Sequence, residues 1–285
     1  MTKYRGIPDL RKVIIVLVCI AVITGCATFE KQNKPSGGTD RLPGYLASDM
    51  LPNSEALIPP PPAPSSTALA LDYDISRNSL TLRDSPRWTL AAADADLTFP
   101  GIAGTFSCVL NAPITEQDTP RLYILMRRVR TDASLATNTA KDKYKRTRPF
   151  VINKERTCFP KDEQSLRNNG SYPSGHTTIG WTWALILAEI SPEQADAILA
   201  RGRAFGQSRV ICNVHWQSDV VEGRFMGAAT VARLHADPVF RADLETAKTE
   251  LAAARAKGLK PTRDCKAEAD ALAQYPPLAP WPANK

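Results

Sequence analysis

GSYPSGHTTIGWTWALILAEISPEQ, residues 170–194, joins a breaker-rich turn to an apolar run of helical length and then to a second helix start. Trp181, Leu185 and Ile186 recur at helical rather than alternating spacing. Ser191-Pro192 follows, with Gln194 placed to complete a capping box. An oxygen-bearing residue before proline marks a helix start, because the oxygen accepts an orphan backbone N–H while proline supplies a helical φ and has no donor to lose. The same pairing recurs at Ser85-Pro86, Thr119-Pro120 and Asp237-Pro238. Behind these starts come apolar residues at helical spacing: Leu122, Leu125 and Met126, then Phe225, Ala228 and Ala232, then Leu244, Ala247 and Leu251. No alternating stretch of comparable length competes, which predicts an all-α helical bundle over residues 67–257.

The composition agrees with a globular domain. With 285 residues, 43% hydrophobic and 23% charged, 15 Gly, 23 Pro and 6 Cys, the chain is no fibrous repeat, disulfide-only scaffold or wholly disordered polymer. Lys3, Arg5, Arg11 and Lys12, opposed by Asp9, precede the apolar run Val13 to Ile23. That run is too short for the ~30 Å of a bilayer core and reads as an export signal over residues 1–25. It ends in Ile23-Thr24-Gly25-Cys26, which resembles a bacterial lipobox; Cys26 would become the lipidated first residue, with ordinary cleavage nearby as the alternative. The expected location is the periplasm, on the outer membrane, with membrane contact through the lipid anchor only. Removing the segment takes three from the net charge of +7, leaving +4, an ordinary value that argues against a nucleic-acid partner and for a small anionic substrate.

Residues 26–66, which include the tract Pro59-Pro60-Pro61-Pro62-Ala63-Pro64, read as an extended tether. Residues 258–285 read as an extended C-terminal tail pinned by Cys265. Four cysteines besides Cys26 remain after export: Cys108, Cys158, Cys212 and Cys265. An oxidising compartment favours disulfides, and no Cys or His spacing suggests a metal site. Of three pairings, Cys158 with Cys212 and Cys108 with Cys265 is preferred.

Three clusters within the bundle carry chemistry. Lys141 and Arg148 are two helical turns apart, so on one helix closed by Pro149 both cations point the same way. Lys143, Lys145 and Arg146 share the stretch, which by itself also reads as a solvated basic face. Ser174, Gly175 and His176 sit at a helix start, where free N–H groups and the helix dipole favour an anion; a turn with a surface histidine is the plainer alternative. Finally, Ser208-Arg209 precedes His215, and Asp219 lies four residues further on. A helix beginning near Trp216 lets Asp219 accept the Nδ1 hydrogen of His215, leaving Nε2 with a lone pair for attack, while Arg209 offers a planar fork to phosphate oxygens. A structural histidine–carboxylate pair is the competing reading. Of three histidines, only His235 lies outside these clusters, and it reads as structural.

Lys141-x6-Arg148-Pro149, Pro173-Ser174-Gly175-His176 and Ser208-Arg209-x5-His215-x3-Asp219, in that order, resemble the tripartite signature of the type 2 phosphatidic acid phosphatase superfamily. Gly170-Ser171-Tyr172 and Gln207-Ser208-Arg209-Val210-Ile211-Cys212 further resemble the bacterial class A non-specific acid phosphatases. The likeness covers about residues 85–257, and Lys145 is more basic than that pattern.

The resemblance implies the helical bundle this superfamily shares with vanadium haloperoxidases. It also implies a metal-independent acid phosphatase acting on a broad range of small phosphomonoesters, with no cofactor. His215 would attack phosphorus and become phosphohistidine, with Asp219 orienting it. His176 would protonate the leaving alkoxide and then activate water. Lys141, Arg148, Arg209, Ser174 and the Gly175 amide would hold the phosphoryl oxygens. One neutral and one protonated histidine predict an acidic optimum. A vanadate-dependent haloperoxidase and a non-catalytic phosphate-binding lipoprotein remain alternatives, and the sequence leaves open whether the chain forms a homo-oligomer.

Overall fold

The computed structural model describes Met1 and residues 41–274. The export signal at 1–25 and the lipidation site Cys26 lie outside the described residues. All regular structure among the described residues is helical. Among the helices are α1 Thr67–Ser79, α2 Pro86–Ala93, α3 Pro120–Leu135, α4 Asn138–Tyr144, α5 Pro149–Asn153, α6 Gly175–Ile190, α7 Ala195–Ile211, α8 Gln217–Leu234, α9 Pro238–Ala256 and α10 Cys265–Ala273.

Two of the four proline-marked starts are capped as expected: Ser85 accepts from Trp88 N, and Asp237 from Phe240 N. The other two are not. Thr119 turns its hydroxyl back onto Pro113 O, and the first turn of α3 is capped instead by Glu250 of α9, which accepts from Arg121 N at 3.1 Å and Leu122 N at 2.9 Å. Ser191 opens a 3-10 turn rather than a capping box: its hydroxyl donates to Glu193 and Gln194 and accepts from Arg255. In both places a neighbouring helix supplies the missing partner, and local sequence does not show that partner.

Helix α6 is the centre of the bundle and packs against α7, α8 and α3, while α9 covers α3. Trp183 is fully buried among Phe205, Leu187 and Met126, and its Nε1 donates to Met126 O at 3.0 Å. Leu122, Leu125, Met126, Leu244, Ala247 and Leu251 face this core. The expected face of α8 is reversed: Phe225 is exposed, and the helix buries Val220, Gly223, Met226, Gly227, Thr230 and Leu234. The reason is close approach, since a Cβ on Gly223 would lie 2.8 Å from the Ser174 carbonyl oxygen. The apolar residue of this helix that catches the eye is the one it leaves outside.

Both flanks depart from the extended forms expected of them. Within 26–66, the described part packs on the domain: Tyr45 is buried in the core, Tyr45 N and Leu46 N donate to Asp132, Ser54 Oγ accepts from Ala140 N, and Ile58 packs with Ala136, Ala140, Tyr172 and Met226. These anchors are single residues with no period between them, so composition alone reads as a spacer. Within 258–285, Cys265–Ala273 is helix α10, which lies on α2 and inserts Glu268 against the buried Arg201. Disulfides join Cys108 to Cys265 and Cys158 to Cys212, with Cα separations of 5.4 and 4.7 Å.

Candidate active site

Lys141 and Arg148 do not share one helix. Helix α4 stops at Tyr144, Lys145 adopts a left-handed conformation at φ 42°, and Arg148 becomes the residue that precedes α5. The break still brings the two cations together. Lys141 Nζ donates to Gly170 O at 2.7 Å, and Arg148 Nη2 reaches the same oxygen at 3.3 Å.

The turn before α6 is tied to both other clusters. Ser171 N donates to Arg146 O, and Ser174 N donates to Asp219 O, each at 2.9 Å. Ser174 Oγ caps α6 by accepting from Thr177 N and Thr177 Oγ1, which leaves its own proton to give. A Cβ on Gly175 would meet nothing nearer than Thr137 Oγ1 at 3.6 Å and Lys141 Cε at 3.9 Å. The amide end of α6 therefore lies beside the Lys141 side chain.

Helix α8 starts after Trp216, and Asp219, in its first turn, reaches back to Trp216 N at 2.9 Å. The same oxygen, Oδ2, lies 3.2 Å from His215 Nδ1. Nε2 of His215 is 3.0 Å from Arg148 Nη1. A guanidinium only donates, so Nε2 carries the lone pair and Nδ1 the hydrogen that Asp219 accepts. His176 Nε2 lies 2.9 Å from the Ala95 carbonyl. A carbonyl only accepts, so Nε2 bears the hydrogen there and Nδ1 is the basic nitrogen of the neutral ring.

Burial dominates the electrostatics. Burial first, then Arg148, pushes Lys141 down to about 7. Burial lowers Arg148 to about 10, and burial with Arg148 lowers Arg209 to about 9. Both histidines are held well below 6.5 by burial and then by cations, Arg209 acting first on His176 and Arg148 first on His215. His215 also acts on His176. Nε and Nη1 of Arg209 are buried with no protein acceptor. Three crowded cations, with two N–H groups of Arg209 unspent, make a cluster suited to a small polyanion. Among the described residues, no group of three His, Cys, Asp or Glu could hold a metal ion, and no helix is long and apolar enough to cross a membrane.

Sequence reasoning missed several supporting residues. Arg146, which shares a stretch that also reads as a solvated face, binds Asp219 and Asp72. Asp94 gathers Arg201 and Ser208 immediately before the Ala95 carbonyl that holds His176. Nothing in the local sequence marks Asp72 or Asp94, since their partners are distant along the chain. His235, read as structural, pairs with Glu189 and with none of these residues.

A helical bundle that gathers a half-buried histidine, a buried histidine, a carboxylate and three cations into one cluster defines a class, and residues 124–242 match the PAP2 superfamily. The chain is 47% identical over 209 residues to a non-specific acid phosphatase of Providencia stuartii, covering 73% of this chain and 84% of that protein. It is 46% identical to a non-specific acid phosphatase of Salmonella typhimurium, covering 70% and 80%. It is also 41% identical to an acid phosphatase of Zymomonas mobilis, covering 71% and 76%. A crystal structure of a transmembrane PAP2 type phosphatidylglycerolphosphate phosphatase from Bacillus subtilis overlaps at a TM-score of 0.42, with 17% identity over 63% of this chain and 87% of that one. This chain belongs to the PAP2 superfamily, in the family of these non-specific acid phosphatases.

Proposed function

We propose that the protein is an acid phosphatase that hydrolyses a broad range of phosphomonoesters through a phosphohistidine at His215. The observation that carries this reading is the bracketing of the His215 ring, with Asp219 3.2 Å from Nδ1 and a guanidinium, not an acid, at Nε2. Nε2 is thereby kept as a lone-pair nitrogen in a cationic cavity.

In the first step Nε2 forms a bond to phosphorus while the P–O ester bond breaks, and His176 gives the departing alkoxide a proton from Nδ1. In the second, water attacks phosphorus, His176 Nδ1 takes its proton, and the N–P bond breaks to release inorganic phosphate. Lys141, Arg148, Arg209, Ser174 and the Gly175 amide hold the equatorial oxygens, where charge accumulates. Burial first, then Arg209, holds His176 well below its ordinary range; an entering phosphate opposes the cationic part of that shift, and its monoanion, abundant in acid, brings a proton with it.

Export and anchoring at Cys26 belong to the same proposal, supported by the lipobox-like sequence. Rates on p-nitrophenyl phosphate for wild type, His215→Ala and His176→Ala test the chemistry, and equal rates in all three would remove catalysis. Radiolabelled palmitate incorporated by wild type but not by Cys26→Ser tests the anchor.

A further inference from the structure

We infer that Arg146 and Asp72 are positioning residues for His215, acting through the Asp219 carboxylate. The inference rests on the proposed role of His215 as nucleophile. Arg146 Nη1 donates to Asp219 Oδ1 at 2.6 Å and to Ser218 Oγ at 2.7 Å, while Nη2 donates to Asp72 Oδ2 at 2.8 Å. Asp72, on α1, accepts from Ser218 N at 2.8 Å through its other oxygen. Asp219 is fully buried and Asp72 is 2% exposed.

The two oxygens of Asp219 are thus divided. Oδ2 serves His215 and Trp216 N, and Oδ1 is taken by Arg146. A carboxylate held at one oxygen can rotate; one held at both cannot, so the plane in which His215 is gripped is set from behind by the guanidinium. The fork is itself fixed, with its centre 5.5 Å from the Trp216 ring and 5.9 Å from that of Tyr172. The break at Lys145 makes this possible. It takes Arg146 off the helix, so Arg146 reaches behind Asp219 while Arg148, two residues on, reaches Nε2 in front.

Charge points the same way. Asp72 and Asp219 would face each other across a dry space without the cation between them, and such an arrangement is unstable unless paired. The other charged groups acting on His215 are Arg148, Lys141 and Arg209, all on the phosphate side. None of the hydrogen bonds of Arg146 goes to those groups, so its loss should affect the chemical step rather than substrate capture.

The test is a double-mutant cycle read as kcat and KM separately. Arg146→Gln is expected to lower kcat by about 10²-fold through misplacement of the ring, with KM changed by less than about twofold. Arg146→Lys, which keeps the charge but can serve only one carboxylate well, should recover part of that loss. In an Asp219→Asn background, Arg146→Gln should lower kcat hardly further, because its route to His215 is already cut. Full additivity in that background, or a raised KM at unchanged kcat, overturns the inference. Should Arg146→Gln fail to fold, Asp72→Asn paired with Asp219→Asn gives the same reading. His215→Ala is run alongside: if it stays active, the nucleophile reading has failed, whereas an inactive His215→Ala with additive losses condemns only the positioning role.

Discussion

Arg148 Nη1 stands 3.0 Å from Nε2 of His215 while also donating to Val214 O at 3.0 Å. The fork therefore locks the loop that carries the histidine as well as facing its reactive nitrogen. Lysine offers a point charge without that geometry. Arg148→Lys is expected to lower kcat/KM by about 10²-fold, in line with loss of a preorganised donor, as read by steady-state kinetics on p-nitrophenyl phosphate.

Lys141 is expected to set the alkaline limit. Burial, then Arg148, pushes its ammonium down to about 7, so the site should lose a phosphate-holding charge as pH rises through that value. kcat/KM should fall on the alkaline side accordingly, and Lys141→Arg, which stays protonated, should move that limb upward. A limb that stays put in Lys141→Arg would assign it elsewhere. Stability runs the other way: a folded pKa below that of the unfolded chain makes folding more favourable as pH climbs from about 7 toward 10.5.

Anion binding should stabilise the fold. Inorganic phosphate at about 100 times its Kd adds ~2.7 kcal/mol, which for a domain of this size raises Tm by roughly 5–10 °C. Differential scanning calorimetry of wild type and Arg209→Ala checks this, since the variant loses the buried N–H groups with no protein acceptor and should lose most of the shift.

Gly223 is where α8 meets the turn that starts α6. A Cβ there would lie 2.8 Å from Ser174 O and 2.9 Å from Thr177 Cβ. Gly223→Ala should cost about 1–3 kcal/mol by overpacking and depress kcat by shifting Ser174 and His176. Gly101→Ala, whose Cβ would meet nothing within 4 Å, is the control and should stay within about 0.5 kcal/mol.

Asp94 is fully buried, takes a bidentate pair from Arg201 and accepts from Ser208 Oγ at 2.7 Å. Removing one partner of a buried pair strands the other charge, so Asp94→Asn should destabilise by about 3–5 kcal/mol in chemical denaturation. Because Ala95 O holds His176, whatever variant protein folds should also show a reduced kcat.

The helical class and the His215–Asp219 pairing could be read from sequence because both announce themselves locally. Ser85-Pro86 and Asp237-Pro238 satisfy their own helix starts, and His215 and Asp219 lie within one turn of each other. What stayed hidden depends on distant partners. The break at Lys145 has no glycine or proline to mark it, Arg146 becomes legible only once Asp72 is beside it, and the Thr119-Pro120 start is capped by Glu250. Single anchors such as Tyr45 and Ile58 carry no period, so a Pro-rich flank concealed its docking.

That Glu250 cap bears on how the protein is made. A ribosome delivers Arg121 129 positions before the carboxylate that satisfies its amide, and Cys108 appears 157 positions before its disulfide partner. The earlier-made part of the chain therefore lacks this cap and this cross-link until the segments carrying Glu250 and Cys265 have been made, so products truncated before them should be handed to chaperones or proteases rather than persist as partly working enzyme.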